Sequence, residues 1–90
     1  MIALRIQWYE DAWNEYIEWQ SEDKKTLKRI NALVKDIQRN GNSGIGKPEP
    51  LVDNKGGWWS RRIDEKNRIV YKIIDDKLII ASCKGHYDDK

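Results

Sequence analysis

Cysteine occurs once in the ninety residues, at Cys83. An intramolecular disulfide and a two-cysteine zinc site are both excluded. Such usage suits a reducing cytoplasm. Cys83 ends the apolar run KLIIASC, where it reads as a small core residue rather than a nucleophile. Histidine also occurs once, as His86, and no metal-ligand spacing is present, so no metal or other cofactor is expected. Phenylalanine is missing, and five Trp and four Tyr supply the aromatic bulk. No run is long and apolar enough to span a membrane. The first residues, MIALRIQWYED, lack the small-residue cleavage site of a signal peptide. Repeats and low-complexity tracts are absent. Neither charge sign dominates, with 17 Lys and Arg against 15 Asp and Glu. Residues 1–40 carry seven of each sign, while residues 41–90 carry ten basic against eight acidic. That mild C-terminal excess permits a phosphate-bearing partner. Proline occurs only at 48 and 50, on either side of Glu49.

What is present fits a single domain, residues 1–90. IALRIQW alternates apolar and polar residues with the period of a strand. A helix follows, with Trp13, Tyr16, Ile17 and Gln20 on one stripe and Glu15, Glu18 and Glu22 facing away. Its cap is Tyr9 or, better, Asp11. SEDKKTLKRINALVKDIQRNG reads as a second helix, capped by Ser21 and ended by Gly41, with Leu27, Ile30, Leu33, Val34 and Ile37 buried. The near-absence of a linker predicts an antiparallel helical hairpin. GNSGIGKPEPLVDNKGG reads as a long loop holding five of the six glycines. WWSRRID, RIVYKII and KLIIASC then read as an antiparallel meander. The order β-α-α-β-β-β predicts an α+β domain, the hairpin covering one face of a small, twisted, mostly antiparallel sheet and leaving the other open.

Proline fixes its own φ and restricts the residue before it, so Glu49 has little backbone freedom. Alternation sets Ile69, Tyr71 and Ile73 against Arg68, Val70 and Lys72. Arg68 and Lys72 then look out from the open face. Arg61 and Arg62 lie on opposite faces, and alternation alone does not say which joins Arg68. His86 and Tyr87 follow the last strand. A carboxylate to take a proton, a histidine to give one and an arginine to hold a charged phosphorane are the parts for metal-free RNA cleavage by the 2′-OH. Each also has a plain reading: Glu49 as solvated surface, Arg68 as a partner for Asp64, Trp59 as core. Trp58 would stack on a base or cover the loop. On the residues alone a small binding module ranks ahead of a ribonuclease.

GKPEPL, WWSRRI, NRIVYKI and the HY at 86–87, with DAWNEYIEWQSEDKK before them, closely resemble the YoeB-type toxins of the RelE superfamily in order and spacing over nearly the whole chain. The resemblance implies a RelE-like fold and a ribosome-dependent mRNA endonuclease of a toxin–antitoxin pair, acting in the A site of the 70S ribosome. It assigns Glu49 as general base, Arg68 to the phosphate, His86 as general acid, and Tyr87 to orienting or stacking on the RNA. Arg62 and Lys47 would contact phosphates, with Arg61 and Trp58 as further candidates. It also implies a YefM-like antitoxin, operator DNA reached through the antitoxin complex, and a homodimer. The alternative is a non-catalytic module that binds the ribosome, or antitoxin and DNA, and blocks or represses. Three features depart from the pattern. Val52 stands where many relatives carry lysine, Gly85 stands where a bulkier residue is usual, and Asp88, Asp89 and Lys90 follow the His-Tyr pair at which relatives commonly end.

Overall fold

The computed structural model describes residues 4–52 and 56–85. The element order is β1 (Arg5–Trp8), α1 (Glu10–Glu22), α2 (Lys24–Asn40), β2 (Glu49–Pro50), β3 (Trp59–Arg62), β4 (Arg68–Ile74) and β5 (Lys77–Ser82). The strands form one sheet in the order β1-β5-β4-β3-β2. β1 runs parallel to β5 and every other pairing is antiparallel. The hairpin and meander follow the sequence expectation. The additional strand is β2, inside the stretch that reads as loop. Two residues flanked and occupied by proline carry no period-2 signal, so β2 exists only through its pairing with β3.

The helical hairpin turns on one residue. The Asp23 amide donates to the Trp19 carbonyl, closing α1. Its carboxylate accepts from the amides of Lys25 and Thr26 at 3.0 and 3.3 Å and from the Thr26 hydroxyl at 2.9 Å, opening α2. Asp23 is therefore the cap expected at Ser21, which instead sits in the last turn of α1. Tyr9 occupies the N-cap position of α1 without a side-chain bond. The Tyr9 amide donates to Ile80, and acidic Glu10 and Asp11 fill the first turn.

α2 buries Ile30, Leu33, Val34 and Ile37 as its periodicity predicts, while Leu27 is only half-buried. α1 is rotated from its expected stripe. Ala12 and Trp19 are buried, whereas Trp13 and Ile17 remain 44% and 46% exposed and Gln20 is exposed. Glu15, expected to face solvent, turns inward and accepts from the Cys83 amide at 2.7 Å. The core closes between these helices and Ile69, Tyr71, Leu78, Ile80 and Cys83.

Arg61 is the one fully buried cation among the described residues. Cross-strand partners share a face of a sheet, so the register Arg61↔Ile69 and Arg62↔Arg68 places Arg61 on the core side and Arg62 on the open side. The Arg61 guanidinium donates to Asp36 at 2.6 Å, to the carbonyls of Gly41, Ser43 and Ile45 at 2.6, 3.0 and 3.0 Å, and to the Tyr71 hydroxyl at 3.3 Å. This bonding uses all its nitrogens and pins residues 41–45 against α2 and β3. The hydrogen bond from Arg61 holds the Asp36 carboxyl below the usual carboxylate range.

Truncating one partner of a buried pair leaves the other charge uncompensated, at about 3 kcal/mol or more. Asp36→Ala is expected to lower urea-unfolding stability by about that amount, and Asp36→Asn by less because an amide oxygen still accepts. Because the folded-state pKa of Asp36 is depressed, its stabilisation is present above the ordinary carboxylate range and fades as pH falls through the folded value. Stability curves of wild type and Asp36→Asn are therefore expected to converge in acid.

Candidate functional site

The open face of the sheet gathers the sequence-predicted residues. Glu49 pairs with Ser60 and Ser60 with Val70, which puts all three side chains on the same face as Arg62 and Arg68. Glu49 is exposed and accepts no hydrogen bond from the described residues. Ser60 is buried, and its hydroxyl accepts from the Arg68 guanidinium at 3.4 Å. The serine thus sits beside both Glu49, by register, and Arg68, by contact. Alternation in WSRR gives its face, but only the β2 pairing ties it to Glu49. Arg62 is exposed on the same face. Arg61, a candidate RNA contact by sequence, is removed from that role: its side chain has no exposed surface and its donors are consumed inside the fold.

The approach to Glu49 is a tightly specified segment. Gly46 has φ +82°, and its carbonyl accepts from the Arg62 amide at 2.7 Å. A Cβ there would lie 2.8 Å from Leu33 Cδ2 and 3.2 Å from the Arg62 carbonyl oxygen, so only glycine fits. Lys47 follows with φ +52°, a left-handed conformation that non-glycine residues rarely adopt, and is exposed. The segment is held by Arg61 behind it and by β3 alongside it. Glu49 therefore leaves the sheet edge in a set direction.

Trp58 lies half-buried with the Lys72 ammonium 4.6 Å from its ring centroid. The Tyr9 ring meets it edge-on at 5.8 Å, a neighbour that the sequence does not announce. Val52, where a lysine is expected from the resemblance, is 88% exposed. His86 and Tyr87 lie outside the described residues. The chain leading to them is well anchored. The Cys83 carbonyl accepts from Trp19 Nε1, the Gly85 amide donates to Asn67 Oδ1 at 2.7 Å, and the Gly85 carbonyl accepts from the Arg68 amide at 3.1 Å. Gly85 adopts φ +100°, which accounts for glycine at this position. Lys84 is clasped by Glu18 and Glu22 at 2.7 and 3.0 Å.

Cys83 is fully buried, and burial together with the nearby Glu15 carboxylate pushes its thiol up to about 12. It is core, as its sequence context predicts. A groove lined by Asp11, Asn14, Glu15, Glu18, Lys84 and Gly85 contains none of the predicted site residues. Among the described residues no three His, Cys, Asp or Glu side chains are placed to hold a metal ion, and no helix is long and apolar enough to cross a membrane.

Residues 8–87 match the family model of the YoeB-like toxin of bacterial type II toxin–antitoxin systems. The chain belongs to that family. It is 49% identical to Toxin YoeB of Escherichia coli K12 over 84 residues, 93% of this chain and 100% of the relative. Its fold superposes on the YoeB dimer from Staphylococcus aureus with a TM-score of 0.89 at 47% identity, covering 96% of this chain and all of that one. It also matches the heterotetrameric YoeB–YefM toxin–antitoxin complex from the same organism, with a TM-score of 0.84 at 47% identity and the same coverage of both chains. The architecture of two helices on a five-stranded mixed sheet is the one these toxins share.

Two outcomes test the local geometry. In the folded protein Cys83 is expected to resist iodoacetamide at pH 8, reacting only after denaturation, as read by intact mass. Gly46→Ala is expected to cost about 1–3 kcal/mol in thermal or urea unfolding, through left-handed strain and contact with Leu33.

Proposed function

We propose that this toxin is a metal-independent endoribonuclease that cuts mRNA in the A site of the 70S ribosome and thereby stops translation. The observation that carries the reading is the placement of Glu49 in register with Ser60, whose hydroxyl accepts from Arg68. A solvent-facing carboxylate and a guanidinium thereby flank one strip of open sheet. Family membership supports the toxin role, and the resemblance of GKPEPL and NRIVYKI to the toxins' motifs supports the residue roles.

In the proposed reaction Glu49 removes the proton from a ribose 2′-OH. The 2′ oxygen attacks the adjacent phosphorus, and the bond from phosphorus to the 5′ oxygen breaks. Arg68 faces the negative charge that builds on the non-bridging oxygens. His86, one peptide bond beyond the anchored Gly85, protonates the departing 5′ oxygen. The products are a 2′,3′-cyclic phosphate and a 5′-OH, and no water is consumed. Tyr87 orients the RNA. Lys47, Arg62 and Lys72 supply phosphate contacts, and Trp58 offers a face for a base. The YoeB–YefM complex of the S. aureus relative supports an antitoxin of the YefM type as partner, and through it operator DNA. The S. aureus dimer supports self-association, to which the exposed Trp13 and Ile17 give apolar surface.

A general base contributes about 10²–10⁴ in rate, and a preorganised charge-stabilising donor about 10²–10³. Glu49→Gln and Arg68→Ala are each expected to reduce cleavage by those factors with unfolding unchanged within about 1 kcal/mol. The measurement is primer extension on an mRNA translated in a purified bacterial system. A new 5′ end within the A-site codon, present with wild type and lost with Glu49→Gln, is the expected result. Cutting by both proteins would overturn the role of Glu49, and arrest without new ends would overturn the nuclease.

A further inference from the structure

The turn from β3 to β4 is closed by one carboxylate. Asp64 Oδ1 accepts from the amides of Lys66 and Asn67 at 2.8 and 2.7 Å. The amides of Ile63 and Asp64 donate to the Asn67 carbonyl at 2.9 and 3.2 Å and complete the turn. Both Asp64 oxygens also accept from Asn67 Nδ2, at 3.1 and 3.2 Å. An ionised carboxylate only accepts, so this contact fixes which end of the Asn67 amide carries the nitrogen. The other end, Oδ1, plays no part in the turn. It accepts from the amide of Gly85, eighteen residues further along the chain, at 2.7 Å. The Gly85 carbonyl in turn accepts from the Arg68 amide at 3.1 Å. Asn67 and Arg68 together therefore hold both backbone polar groups of Gly85. Regular pairing of β4 with β5 ends at Val70 opposite Ser82, so this clamp is a separate hold on the chain beyond β5.

We propose that Asn67 is a positioning residue of the nuclease, its side-chain oxygen fixing where the chain leaves Gly85 and so where His86 meets the departing 5′ oxygen. The inference rests on the reading above, in which Arg68 faces the phosphate and His86 is the acid. Those two groups must be set relative to one another, since a misplacement of about 1 Å costs a factor of about 10² in rate. Asn67 directly precedes Arg68, the first residue of β4, so the guanidinium and the clamp are built on one piece of backbone. Gly85 depends on such a clamp. It is exposed, has φ +100° and carries no side chain to pack, and an untethered glycine samples many conformations. Among the described residues, chain neighbours aside, nothing lies within 4 Å of where a Cβ would stand. Hydrogen bonds rather than packing thus set its position. Asparagine suits the task because one end of its amide donates to a carboxylate while the other accepts from a backbone amide. Aspartate lacks the donor, and alanine lacks both.

The test compares wild type, Asn67→Ala, His86→Ala and the double variant on purified bacterial ribosomes carrying a defined message. Asn67→Ala keeps the Asp64 bonds to the amides of residues 66 and 67, and matching thermal melts verify the fold. Two messages are used, one ordinary and one with sulfur in place of the 5′ oxygen at the linkage that wild type cuts. A thiolate departs without being protonated, so cleavage of the sulfur message needs no general acid. Asn67→Ala is expected to cut the ordinary message about 10²-fold more slowly than wild type. It is expected to cut the sulfur message as fast as wild type, and to add no further loss in the His86→Ala background. A wild-type rate on the ordinary message would overturn the inference alone. Slowing on both messages, or losses that add in the double variant, would give Asn67 a purely structural role and overturn it as well. If wild type leaves the ordinary message uncut, or His86→Ala cuts it as fast as wild type, the nuclease reading fails at that point and takes this inference with it.

Discussion

The Arg61 guanidinium ties α2, the 41–45 segment and the β3–β4 pair together at one buried point. It lies in the core, where a cation is costly unless its donors are matched and its charge is balanced. Here Asp36 balances the charge, and three carbonyls of the 41–45 segment and the Tyr71 hydroxyl take up the remaining donors. The segment is otherwise poor in order, rich in glycine and without an apolar stripe. Tethered to Arg61, it becomes a fixed bridge from the end of α2 to Gly46, whose carbonyl is then captured by the Arg62 amide. Two consecutive arginines serve two purposes because a strand alternates its side chains. Arg61 braces the loop from within, while Arg62 faces the open surface the loop borders.

That division was only half legible in the sequence. The alternation of SRRI placed the arginines on opposite faces, but which one faced outward depends on the hairpin register, set here by Arg62 opposite Arg68. Where apolar spacing was strong and tertiary context agreed with it, as in α2 and the meander, the reading held. It failed at α1 because the helix buries a small residue beside its tryptophan and turns a carboxylate inward. Ala12 leaves room for close packing, and Glu15 turns inward because the Cys83 amide gives it a partner. Trp13 and Ile17 look like core by hydrophobicity and are half-exposed. Likewise Ser21 and Asp23 are both good caps. The choice fell to Asp23, whose carboxylate reaches three donors of the following turn.

Glu49 and its prolines were visible from the start, but their structural setting was not. β2 is the last strand at one edge of the sheet, and an edge presents unpaired donors and acceptors to any further strand. Pro48 and Pro50 have no amide hydrogen to offer, so the edge is blunted where the carboxylate stands. The same two residues that limit the backbone freedom of Glu49 also end the sheet there, while its place on the open face leaves the side chain exposed to solvent.

That exposure bears on how the proposed chemistry would work. A base fixed at the rim needs little ordering when a ribose arrives, which lowers the entropic part of the barrier. Yet nothing among the described residues covers Glu49, and the groove lined by Asp11, Glu15 and Lys84 lies elsewhere. Charge stabilisation by Arg68 is weakened where water screens it. Exclusion of water and in-line placement of the phosphate must then come from outside the chain. A ribosome-bound message, packed onto the open face, would supply both. A toxin built this way is preorganised in its backbone but incomplete in its electrostatics, so the proposed dependence on the ribosome would follow from the position of one carboxylate at the edge of a sheet.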